Sequence, residues 1–97
     1  KNVFRGYMNA DDMVEWLIII LKRSNKKCPI FNVGSDKAIN LRLLGKKIAK
    51  IFNKKIKLKK IKNLDTDYYV PSINKARKTL KLKISINLKD SLNSFIK

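Results

Sequence analysis

The chain has 97 residues, enough for one small domain or a piece of a larger one. It is 44% hydrophobic, which allows a core, and its 24 basic and 7 acidic residues give a formal net charge of +17. With no histidine and a single cysteine, Cys28, the sequence excludes an internal disulfide, Cys/His zinc sites and Ser-His-Asp chemistry within itself.

The opening KNVFRGYMN alternates loosely and predicts an extended segment. Asp11 is a candidate N-cap, with Asp12 and Glu15 suited to the first turn of a helix over Met13 to Lys22. Met13, Trp16, Leu17, Ile20 and Leu21 fall at helical spacing there, and Trp16 is a candidate core residue. After the loop SNKKCP, Pro29 precedes a short expected strand, Ile30 to Val33, which runs straight into Gly34 and Ser35. Asn40 can cap a second helix whose apolar face is Leu41, Leu44, Ile48, Ile51 and Phe52. IKLKKI, Ile56 to Ile61, has the strand period, and NLDTD predicts a turn or loop. Tyr68 to Val70 precede Pro71 and are expected to be extended. Ser72 can cap a third helix running to about Leu80, and Asn87 or Ser85 a last one with Leu88, Leu92, Phe95 and Ile96 on one face. The order strand, helix, strand, helix, strand, helix, helix is a mixed α/β pattern.

The strong positive charge first suggests nucleic acid or an acidic membrane. The basic residues are spread from Lys1 to Lys97, however, and only Arg5, Arg23, Arg42 and Arg77 are guanidinium groups, the usual readers of bases. The charge therefore reads as a solvated surface. The most apolar run, WLIIIL, is far too short to span a bilayer. No signal peptide is evident, and a cytoplasmic location is expected. The first residue is Lys1, which points to a fragment of something longer.

None of the seven acidic residues pairs in sequence as a catalytic dyad. Arg5 stands just ahead of a helix, and its fork could hold a phosphate or diphosphate; the plainer alternatives are an exposed strand residue or a partner for Asp12. Tyr68 and Tyr69 could stack on a base or sugar, or pack in the core.

Four stretches taken in order carry a family likeness: RGYMNADDMVEWLIIIL, FNVGSDKAINLRLLGKKIAKIF, YYVPSINKARKTLKL and NLKDSLNSFI. Together they resemble the C-terminal part of an extended short-chain dehydrogenase/reductase of the nucleotide-sugar epimerase/dehydratase family. RGYM with Trp16 in the next helix, and YVPS later, are most similar to members acting as dTDP-glucose 4,6-dehydratases. UDP-glucose 4-epimerase-like members are close behind.

The resemblance implies the α/β substrate-binding portion of a Rossmann-type enzyme, with residues 1–97 as one C-terminal lobe and the N-terminal NAD-binding domain absent. It implies that Arg5 contacts the substrate diphosphate. Structural roles would fall to Asp12 at a helix head, Asn32 and Gly34 in the turn of FNVGS, and Ser72 as a helix cap. No metal is implied. The parent enzyme would use NAD, take a nucleotide sugar and form a homodimer, with no membrane or nucleic-acid partner. A dehydratase would withdraw hydride from sugar C4, eliminate water across C5 and C6 and return hydride to C6. An epimerase would return hydride to the other face of the 4-keto sugar.

The sequence also departs from the family. Asp65-Thr66-Asp67-Tyr68 stands where many members carry a second diphosphate-binding arginine, and Leu80-Lys81 where Leu-Gly is common. Neither GxxGxxG nor Tyr-x-x-x-Lys occurs, so no residue here is expected to be catalytic and no NAD cradle is expected within the chain. Two readings of other classes remain beside this one: a small basic nucleic-acid-binding module, and an interaction domain using WLIIIL as its contact face.

Overall fold

Asparagine begins three of the helices. The computed structural model describes residues 2–60 and 65–96. In chain order its elements are β1 (Asn2–Gly6), α1 (Ala10–Lys22), β2 (Ala38–Asn40), α2 (Leu41–Ile51), β3 (Thr66–Tyr69), α3 (Asn74–Leu80) and α4 (Leu88–Asn93). The side chains of Asn9, Asn40 and Asn87 each accept a 2.8 Å bond from a first-turn N–H, of Asp11, Arg42 and Asp90 respectively. Each satisfies a donor that the helix leaves without an internal partner. The cap of α1 is thus Asn9 rather than Asp11, whose own N–H is the group being capped.

The sheet has the order β2-β1-β3 and is mixed. β1 runs antiparallel to β2, with Phe4 opposite Asn40, and parallel to β3, with Arg5 opposite Tyr69. Two expected strands are not formed. Residues 30–33 and residues 56–60 form no strand. β2 and β3 take both edges of β1, and neither segment pairs with the outer edge of β2 or β3. The 30–33 segment is tied down by side chains instead: Asn32 Nδ2 donates to the Ser72 carbonyl at 3.1 Å, and Lys75 Nζ to the Ile30 carbonyl at 2.7 Å. Ile61, which ends the second expected strand, and Asn63 and Leu64 of the expected turn lie outside the described residues. Thr66 and Asp67, expected in that turn, belong to β3.

Ser72 does not cap α3. The N-cap position is Ile73, with no side-chain bond, because Ile73 is drawn into the core and the helix starts behind it. At the other end of α3, Lys81 adopts a left-handed conformation, φ 58°. That is the place where glycine commonly ends a helix at no steric cost.

The core gathers where α1 meets α3. Trp16 is buried among Ile73, Ala76, Leu80 and Leu82, with Met8, Ile19, Ile20, Phe31, Val33 and Ile84 packed around them. The indole N–H is satisfied by the Lys83 carbonyl at 2.9 Å. A buried aromatic of this size removes on the order of 200 Å² from water, the largest single apolar contribution a residue can make. The rest of α1 is less protected: Met13, Val14, Leu17, Ile18 and Leu21 are exposed. The molecule is a flat body of 50 × 37 × 16 Å with a radius of gyration of 16.4 Å. A compact domain of this length has about 13 Å. Among the described residues no helix is long and apolar enough to cross a membrane.

Candidate functional site

β1 delivers Arg5 and Gly6 to one end of the sheet, and alternation sets what faces them. Side chains on neighbouring strands point the same way at matched positions. Val3 is opposite Asp67 and Arg5 opposite Tyr69, so Arg5, Asp67 and Tyr69 share a face. Phe4 and Tyr68 lie on the other, their ring centroids 5.8 Å apart. The Arg5 guanidinium makes a forked ion pair with Asp67: Nη2 donates to Oδ2 at 3.1 Å and Nη1 to Oδ1 at 3.4 Å. Nη1 also donates to the Phe4 carbonyl at 2.8 Å, and the guanidinium carbon lies 6.0 Å from the centre of the Tyr69 ring.

The segment after the first loop closes on this end of the sheet. It can do so because two residues lack side chains. A Cβ on Gly6 would collide with the Ser35 carbonyl, and a Cβ on Gly34 would come within 2.9 Å of Pro71 Cγ. With Asn32 bonded to the Ser72 carbonyl, the turn, the end of β1 and the Tyr69–Pro71 segment converge. Between them lies an open cleft of about 680 Å³, lined by Arg5, Gly6, Tyr7, Asn32, Val33, Gly34, Tyr69 and Pro71. Its chemistry is one guanidinium, one side-chain amide and two phenols. That set can hold an anion and stack a flat group; it offers no paired carboxylates for acid–base work. Among the described residues there is no group of acidic or cysteine side chains able to hold a metal ion.

The cleft brings together four of the residues singled out in the sequence, Arg5, Asn32, Gly34 and Tyr69. Asp12 and Ser72 are not part of its lining. Asp12 is 2% exposed, and its Oδ2 accepts bonds from the backbone N–H groups of Ser85 at 3.1 Å and Ile86 at 2.9 Å. It ties the head of α1 to the approach to α4, and Asn9 Nδ2 reinforces the link with a 2.8 Å bond to Ser91 Oγ. Arg5 therefore pairs with Asp67, and Asp12 with backbone. Neither tyrosine is core: Tyr68 and Tyr69 are both exposed. Tyr7, in the lining, and Asp67, which holds Arg5 without lining the cleft, are the residues that sequence reasoning missed. Alternation through Asp67 and Tyr69 was a usable signal, but the register against Arg5 was needed to interpret it.

The sequence matches no protein-family model and no curated protein. Among solved structures, its fold is similar to that of UDP-glucuronic acid 4-epimerase from Bacillus cereus in complex with NAD, with a TM-score of 0.69 at 20% sequence identity. The match covers 95% of this chain and 29% of that one, so the chain spans under a third of the epimerase's length. The four helices and mixed three-stranded sheet of this chain share the fold of part of that enzyme.

Proposed function

We propose that the chain is the nucleotide-sugar-binding C-terminal lobe of an NAD-dependent nucleotide-sugar enzyme of the extended short-chain dehydrogenase/reductase family, and that Arg5 binds the substrate diphosphate. The observation that carries this reading is the cleft. Its one guanidinium opens onto a space bounded by a side-chain amide and two phenols, in a fold similar to part of an NAD-bound nucleotide-sugar epimerase. An Arg fork matches phosphate oxygens in geometry as well as charge. The flat shape and the exposed apolar stripe of α1 also support a lobe that belongs against more protein.

NAD would have to be held elsewhere. The only glycines are Gly6, Gly34 and Gly45, too far apart for a diphosphate-cradling loop, and no Tyr-x-x-x-Lys is present. The residues of this chain do not fit the cofactor, and no step through it is assigned to them. Their task in this reading is to bind and orient the substrate's nucleotide end. A cytoplasmic, homodimeric parent enzyme belongs to the same proposal.

The sequence motifs favour dTDP-glucose 4,6-dehydratase as the activity. The similarity to an epimerase favours a second reading, 4-epimerisation of a UDP-sugar. Product mass separates the two. The intact protein with NAD should convert dTDP-glucose to a 4-keto product lighter by one water if it is the dehydratase. A UDP-sugar converted to an isomer of unchanged mass would establish the epimerase. Turnover of neither would overturn the enzyme reading. In whichever activity appears, Arg5→Ala should raise the KM for the nucleotide sugar roughly 10- to 100-fold, the worth of a charge-assisted phosphate pair. NAD affinity should stay unchanged.

A further inference from the structure

We propose that Asp67 sets both the affinity and the charge preference of the Arg5 cleft, holding the guanidinium in place while opposing ligands of higher negative charge. The inference rests on the diphosphate reading of Arg5 and adds to it a residue that tunes the site.

The chain has 24 cationic side chains and only 7 acidic ones. One of those few acids sits on β3 with its carboxylate on the fork of Arg5, at 3.1 and 3.4 Å, and its backbone carbonyl also lies 3.4 Å from Arg5 Nη1. The pair is half-exposed, 34% for Arg5 and 44% for Asp67, so a ligand can reach it without unfolding the strand. A guanidinium carries one positive charge. Asp67 offsets part of that charge from just outside the cleft lining, so a diphosphate bound by Arg5 comes close to a carboxylate.

That repulsion scales with the charge of the ligand. A nucleotide sugar has a diphosphate capped at both ends and carries about two negative charges. A free nucleoside diphosphate has a terminal phosphate whose second ionisation occurs near pH 6, which brings it to about three. The carboxylate therefore opposes the free nucleoside diphosphate more strongly than the sugar-capped form. The cleft with Asp67 present favours the capped diphosphate over the uncapped one.

The test is calorimetric titration of the intact protein and its variants with UDP and UDP-glucose, and with dTDP and dTDP-glucose. Asp67→Asn removes the charge and keeps an acceptor for Arg5. It should tighten the free nucleoside diphosphates by roughly tenfold and the nucleotide sugars by a smaller factor, roughly threefold. Asp67→Ser carries the same expectation should the Asn variant not fold. If Arg5→Ala weakens all the ligands but Asp67→Asn gives no gain, a loss, or an equal gain for both ligand types, the proposal is overturned and the binding site stands. If Arg5→Ala leaves every affinity unchanged, the diphosphate reading itself fails, and this inference with it.

Discussion

Two neighbouring regions of the molecule keep their polar groups in opposite ways. Where α1 meets α3, Trp16 and Asp12 are buried, and every polar atom of theirs that the fold uses is bonded to backbone: the indole to Lys83, the carboxylate to Ser85 and Ile86. At the cleft, Arg5 and Asp67 are half-exposed and form a forked ion pair, with Arg5 Nη1 also donating to the Phe4 carbonyl. Backbone partners cannot leave without unfolding the segment that carries them. A side-chain carboxylate on a solvated guanidinium can be exchanged for another anion at small cost. The first arrangement builds structure, and the second contributes little to it.

Substitutions should separate the two regions by size. Trp16→Ala should cost the most, about 3–5 kcal/mol, because it empties the centre of the only buried apolar cluster among the described residues. Chemical denaturation would read it, and a loss under about 1 kcal/mol would mean the cluster is not the core. Asp12→Ala should follow at about 3 kcal/mol, since it strands two backbone N–H groups at the approach to α4. Loss of amide protection should then begin at Ser85 and Ile86, and uniform protection would contradict the tether. Lys81→Gly should act in the same region in the opposite direction. It should raise stability by about 1 kcal/mol by relieving a left-handed residue that carries a Cβ. An unchanged melting temperature would remove strain from the account of that helix end. Arg5→Ala should change stability least, by under about 1 kcal/mol, because its ion pair is exposed and screened. A large loss of stability from Arg5→Ala would make the cleft structural as well, and the contrast would collapse.

The helices were more legible than the strands. Asn40 and Asn87 could be read as caps because a side-chain oxygen two or three residues ahead of a free N–H is a local event. Asn9 was passed over for Asp11, two positions on, a small shift among neighbouring residues able to cap. Ser72 misled for a different reason: the burial of Ile73 decided where α3 begins, and burial is not local. IKLKKI shows the same limit for strands. Its alternation is real, yet residues 56–60 form no strand, while Ala38–Asn40, with no alternation to speak of, does. Alternation gives a segment two faces, but whether it pairs with a neighbouring strand is settled by where the rest of the chain places it.

The sequence by itself determined the α/β class, the approximate helices and Trp16 as core, because periodicity and capping are properties of short stretches. Only the tertiary structure decided that Asp67 faces Arg5, that Asp12 faces backbone, and that Tyr7 and Tyr69 border one cleft with Asn32. Those pairings join residues up to 74 positions apart. They follow from strand register and from close approach at Gly6 and Gly34, which are fixed only when the whole chain packs.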